Sequence, residues 1–256
     1  MNICVDVGNS TIGIGIYKNN VLIERMIFNT DIRLTEDEFY HLFKKQFNEL
    51  NLPNEKVDNI IYSSVVPPIN LSIINTLKNI FKIDPLLINV NTKTDLGLKV
   101  DNPIEEIGND LIADLVGAKS KYGYPCLIAD LGTASKILLL DKDGDFASCL
   151  IVPGLTLSAN SLSNKAALLP EVSLIAPKSI VAKNTLAAMN AGIVYGHADM
   201  ITGLIKRYES ELGYTCKHIL TGGGAVYVND IMKDDFIYDQ NLNLEGLNII
   251  INKNNK

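Results

Sequence analysis

The chain has 256 residues, of which 47% are hydrophobic and 20% charged, so it fits one large domain or two small ones and not a disordered chain. Its 23 basic and 29 acidic residues leave a net charge of −6. That balance argues against nucleic acid or an anionic membrane as a general partner, because such binders carry a basic excess. A small anionic ligand held by backbone amides stays compatible with it.

In chain order, Ile3 to Val7 and Ile12 to Ile16 read as two strands joined by the turn Gly8-Asn9-Ser10-Thr11. Thr35 and Glu38 fit a capping box, and Phe39, Leu42, Phe43 and Phe47 follow at helical spacing. Asn59 to Val66 reads as a buried strand, and Pro67-Pro68 ends it and opens a helix to about Phe81. Pro85 to Val90 reads as another strand. A helix is expected from about Gly108 to Lys119, and a strand at Cys126–Asp130. The turn Gly132-Thr133-Ala134-Ser135 leads into a returning strand, Lys136 to Leu140, and Asp143-Gly144-Asp145 is a hairpin turn. Ser158 to Leu169 and Thr185 to Leu212 are expected as helices. His218 to Thr221 is a strand entering Gly222-Gly223-Gly224, and the Asn-rich end from Asn252 is expected to fray.

Cys4, Cys126, Cys149 and Cys216 are widely spaced and read as reduced thiols. His41, His197 and His218 lack zinc-site spacing. No apolar run has the length of a membrane span, and the N-terminus lacks a signal-peptide pattern, so a cytoplasmic location is expected.

Asp6-Val7-Gly8-Asn9-Ser10-Thr11 and Asp130-Leu131-Gly132-Thr133-Ala134-Ser135 share one construction, half a chain apart. Each is an apolar strand, Asp-x-Gly, small hydroxyl or amide residues, and a second strand. Duplication of an α/β unit is the simplest explanation. Amides and hydroxyls of such turns suit phosphate oxygens, whereas Asp6 and Asp130 are acceptor-only and suit Mg²⁺ or its waters. A third cluster, Gly222 and Gly223 above all, permits close approach of a nucleotide base or ribose. Neither G-x-x-x-x-G-K-[ST] nor a Rossmann fingerprint is present.

This order of motifs resembles the actin, hexokinase and acetate kinase superfamily. Asp6-Val7-Gly8-Asn9-Ser10, Ser63 to Pro68, Asn102-Pro103, Gly108-Asn109-Asp110, Asp130 to Ala134, Pro153-Gly154, Lys183-Asn184-Thr185, Gly192 to Gly196 and Thr221-Gly222-Gly223 resemble, in order, the type III pantothenate kinases. The resemblance implies an α/β fold of two duplicated ribonuclease H-like (actin-like ATPase) domains, 1–114 and 115–256, with a nucleotide cleft between them. It also implies transfer of the ATP γ-phosphoryl group to pantothenate, the first step of coenzyme A biosynthesis. Mg²⁺, a monovalent cation (K⁺ or NH₄⁺) and a homodimer complete the expectation.

Carried over by position, Asp110 is the expected catalytic base. Asp6, Gly8, Asn9, Ser10, Thr11, Gly132, Thr133, Ser135, Gly222 and Gly223 would hold the nucleotide, with Asp6 and Asp130 at the metal. Val100, Gly108, Asn109, Asp110, Leu111 and Thr185 occupy the acceptor positions. Asp110 also reads as a carboxylate at a helix start, and Thr185 as an N-cap. The family pattern is Gly-Ala-Asp-Arg where this chain has Gly108-Asn109-Asp110-Leu111, and Val100 stands where tyrosine is frequent. Ala134-Ser135-Lys136 replaces Ala-Thr-Thr. Two readings follow: a working kinase of pantothenate or a related alcohol, or a catalytically impaired homologue that binds such ligands and acts through partners. Lys136 either supplies a fixed positive charge near the second turn or points to solvent.

Overall fold

The computed structural model describes residues 1–50, 56–166 and 168–255. They divide into two compact units. The first takes its residues from Met1–Leu96, Asp101–Gly117 and 242–255, and the second from Gly97–Val100 and Ala118–Asn241.

In the first unit, β1 (Asn2–Val7), β2 (Thr11–Lys18) and β3 (Val21–Asn29) form an antiparallel meander. The helix α1 (Glu36–Glu49) starts at the expected capping box: the Glu38 amide donates to Thr35 Oγ1 and the Thr35 amide to Glu38 Oε2. Next, β4 (Asn59–Ser64) joins β1 in parallel. Pro67 opens a short 3₁₀ turn, and α2 (Asn70–Phe81) continues from it until Lys82 takes a left-handed conformation. The two-residue β5 (Leu86–Leu87) completes the sheet order β3-β2-β1-β4-β5. One core joins the inward strand residues Ile3, Val5, Ile12 and Ile14 to Phe39 and Phe43 of α1 and Ile73 and Leu77 of α2.

The helix α3 (Asn109–Tyr122) follows, and then the second unit repeats the plan. Here β6 (Cys126–Leu131), β7 (Ala134–Leu140) and β8 (Phe146–Pro153) are the meander, and β9 (Lys217–Thr221) lies parallel to β6. Between them come α4 (Leu155–Lys165) and the 28-residue α5 (Thr185–Leu212). After β9 come α6 (Ala225–Met232) and β10 (Ile237–Tyr238). The order β10-β9-β6-β7-β8 is the first sheet's topology again, which bears out the duplicated α/β fold. Its core packs Leu127, Ala129, Ile137 and Leu139 against Val194, Ala198 and Ile201 of α5. Asp141–Asp145 turns β7 into β8, and the ammonium of Lys99 lies 2.6 Å from Asp141, also touching Asp143 and Asp145.

The structure overturns the expected frayed end. Leu242–Asn254 is a helix, α7, and it packs on β1 of the first unit. The boundary expected at 114/115 would have placed it in the second. Four asparagines, a glycine and three consecutive isoleucines give it poor helix propensity. Tertiary contacts decide instead. Leu247, Ile250 and Ile251 are buried, and Asn248 and Asn252 each accept from Asn2 Nδ2 at 2.9 Å. Gly246 lies so close to the Ala113 carbonyl that any Cβ would collide with it. The helix expected at 158–169 begins at Leu155 and ends at Lys165; residue 167 lies outside the described residues.

Candidate active site

The first Asp-x-Gly turn closes the hairpin from β1 to β2. Gly8 N donates to Thr11 O at 2.9 Å, and Thr30 holds the loop from outside, through its Oγ1 to Gly8 O (2.7 Å) and its amide to Ser10 O (3.0 Å). Asn9, Ser10 and Thr11 are exposed at the tip. Asp6 sits at the end of β1, where Ser63 Oγ of the neighbouring parallel strand donates to its Oδ1 at 2.9 Å. Directly across the hairpin stands Gly13.

The second turn, between β6 and β7, is one residue shorter and places a side chain across from its aspartate. Asp130 pairs with Lys136, and the ammonium reaches Asp130 Oδ2 at 3.1 Å with both side chains largely buried. Gly132 and Thr133 are exposed at the tip. The glycine cluster after β9 packs onto this turn. Gly222 has φ +86° and lies where a Cβ would press on Asp130 and the Leu131 backbone, while Gly224 N donates to Leu131 O at 2.7 Å. Gly154, at the start of α4, donates its amide to Thr133 O at 3.1 Å. Gly222 therefore lies against the expected phosphate turn, and Gly223 is the next residue.

Ser135 departs from the expectation of a hydroxyl facing the nucleotide. Alternation along β7 turns it to the opposite side of the strand from Lys136. It is fully buried, and its Oγ lies 2.9 Å from His197 Nε2 of α5. Burial lowers the His197 pKa below its usual value and so favours the neutral ring. Sequence reasoning weighed His197 only as a zinc ligand. A lone histidine among the apolar positions of a long helix was the available signal.

At the expected acceptor positions, Asp110 occupies the first turn of α3. Its Oδ1 accepts from Leu111 N at 3.0 Å, and its carbonyl accepts from Asn243 Nδ2 at 3.1 Å. Gly108 O accepts the amides of Leu111 and Ile112, which fixes the helix start. A hollow of about 320 Å³ lies beside this start, lined by Ile88, Val90 and Ile112 with Asn89, Glu105 and Asn109. Val100 lies in the segment paired with the β7–β8 hairpin, where Lys99 N donates to Phe146 O at 2.9 Å. Thr185 is not the N-cap: Asn184 is, accepting the Ala187 amide at 2.9 Å, and Thr185 is the exposed first residue of α5.

The four cysteines are free. Burial raises the Cys4 thiol pKa well above normal and that of Cys126 to about 12, so neither is a ready nucleophile. Among the described residues no helix is long and apolar enough to cross a membrane.

The sequence profile described as type III pantothenate kinase matches residues 2–207. The chain belongs to the type III pantothenate kinase family. The type III pantothenate kinase of Halalkalibacterium halodurans is 34% identical over 254 residues, covering 99% of this chain and 100% of its own. That of Brevibacillus brevis is 36% identical over 254 residues, covering 99% of each. Among solved structures, an archaeal actin homologue covers 99% of both chains with a TM-score of 0.51 at 12% identity, which identifies the fold alone. The chain is thus an actin-like, ATP-dependent phosphotransferase of the family that phosphorylates pantothenate for coenzyme A biosynthesis. Nothing in these likenesses favours the non-catalytic alternative.

Proposed function

We propose that Asp110 accepts the proton of the pantothenate hydroxyl while the two Asp-x-Gly turns hold the ATP phosphates. The observation that carries this reading is the duplication itself: each unit has an aspartate as the next-to-last residue of its first strand and continues into a turn with an exposed glycine or hydroxyl tip. Phosphoryl transfer needs positioning and charge neutralisation more than covalent help from the protein. Asn9, Ser10 and Thr11 in one unit, and Gly132 and Thr133 in the other, supply amides and hydroxyls for that purpose, and Gly8 lets the first turn close tightly beneath them. The Leu111 amide restrains the Asp110 carboxylate at a helix start, and a restrained carboxylate suits a base that must meet an acceptor hydroxyl.

Of the two aspartates expected at the metal, Asp6 suits Mg²⁺ better. Its oxygens are hard donors, its cross-strand neighbour is Gly13, and a Cβ there would meet nothing within 4 Å. Mg²⁺ when bound neutralises charge on the phosphoryl oxygens. Asp130 carries the Lys136 ammonium, which supplies a tethered monovalent charge where the family is expected to use K⁺ or NH₄⁺.

The same reading includes a homodimer. Leu157 and Leu162 of α4, Ile175, Ile180 and Val181 of the segment after it, and Leu186 of α5 are large apolar side chains left exposed on one chain. A second copy would bury such a surface, and Thr185 lies within this stretch of sequence.

A coupled assay of ADP release with ATP, Mg²⁺ and pantothenate, run with and without ammonium, tests the function. Pantothenate-dependent release is expected in both conditions. No release in either would overturn the proposal. Sedimentation of the purified chain should give twice the monomer mass.

A further inference from the structure

The geometry points to His197 as a positioning residue for the nucleotide phosphates, acting through the Ser135 hydroxyl. This inference rests on the reading of the second Asp-x-Gly turn as a phosphate site. Ser135 is completely buried and His197 is 5% exposed, so no solvent competes for their 2.9 Å contact. A buried hydroxyl or imidazole that loses its partner is costly, which makes the pair hold tightly. The contact ties β7 to the middle of α5, where Val194, Ala198 and Ile201 fix the helix against the sheet.

Two neighbours of Ser135 matter for the ligand. Thr133, two residues earlier, is exposed at the turn tip, and Lys136, the next residue, pairs with Asp130. Their side chains are aimed by the same short stretch of backbone whose inward anchor is Ser135. Releasing that anchor lets the strand end rotate, and both groups lose their alignment. His197 acts at one remove: it holds Ser135, which lies between Thr133 of the proposed phosphate turn and Lys136 beside Asp130.

A histidine that merely fills the core would affect folding and leave the two substrates equally served. The test therefore compares full-length wild type with His197→Ala, His197→Gln, Ser135→Ala and the Ser135→Ala/His197→Ala double variant, reading kcat, both KM values and melting temperature. His197→Ala is expected to raise the KM for ATP roughly fivefold to tenfold, the scale of one lost hydrogen bond, with the KM for pantothenate changed less than about twofold. His197→Gln should recover most of the loss, since its amide can reach the hydroxyl. The double variant should be no worse than the worse single one, the mark of a shared interaction. Equal changes in both KM values, an unchanged KM for ATP, or strict additivity would overturn the inference. Should His197→Ala fail to fold, Ser135→Ala alone decides by the same split. Failure of the underlying phosphate reading is separate: Thr133→Val would then leave the KM for ATP unchanged.

Discussion

The two Asp-x-Gly turns share a strand order and differ in what stands beside the aspartate. Asp6 faces a glycine across its hairpin and receives a hydroxyl from Ser63. Asp130 faces Lys136 and its ammonium, with the Gly222 backbone pressed against it. The strand neighbour across from the first aspartate has no side chain, whereas the one across from the second carries an ammonium. The scaffold is shared, and a difference of one turn residue changes which side chain meets the aspartate. The proposed division of roles, Mg²⁺ at Asp6 and the tethered ammonium at Asp130, follows that difference.

The largest expected effect checks the reading that makes both turns matter. Asp110→Asn removes the proposed base and should lower turnover roughly 10²–10⁴-fold, the usual contribution of general base catalysis, with an unchanged circular dichroism spectrum. Turnover near wild type would leave both turns without the proposed acceptor partner. The comparison itself is broken or sharpened by paired variants. Asp6→Asn should raise the Mg²⁺ concentration needed for half-maximal rate at least about tenfold, as expected when a carboxylate ligand is lost. Asp130→Asn should shift it much less. Equal shifts would mean that both turns share the metal.

Crowding gives the next contrast. Gly222→Ala places a methyl in a left-handed backbone conformation and against Asp130 and Leu131, and should cost about 1–3 kcal/mol of stability by chemical denaturation. Gly13→Ala meets open space and should cost much less. Similar losses would remove the structural difference between the turns.

Much of this architecture was legible in the sequence, because the signals were local. The Thr35/Glu38 box, the β1–β2 hairpin and the glycines after β9 each depend on neighbours within a few residues. The parts that escaped depend on distant partners. Helix α7 forms because Asn2 and Ala113 receive it, and Ser135 turns inward because His197 waits on a helix 62 residues later. Lys136 was visible as a charge near the turn, but its pairing with Asp130 follows from a strand register that the sequence leaves open by one residue.

A smaller effect is expected from the charge at the second turn. Lys136→Met keeps the stem of the side chain and removes the ammonium, leaving Asp130 largely buried beside an apolar group. If Lys136 stands in for a monovalent ion, the variant should become dependent on added ammonium or potassium, with saturable recovery of the rate. Wild type should show little response to either salt. A strong ammonium requirement in wild type would return the monovalent ion to this turn and reduce Lys136 to a structural partner.

The smallest effect is one of pH and isolates the inward anchor. Burial depresses the His197 pKa, so on acidification the unfolded chain takes up its proton first, near the ordinary histidine value of about 6.5. The unfolded state then binds more protons than the folded one, so stability falls as pH drops below that value and is complete above it. His197→Gln has no such proton to gain. Denaturation midpoints measured from pH 8 to pH 5 should therefore slope less steeply in the variant than in wild type, with the two curves running parallel above pH 7. Identical slopes throughout would mean that the ring protonates in place, and a charged imidazole beside Ser135 would then have to be accommodated by the fold at no cost.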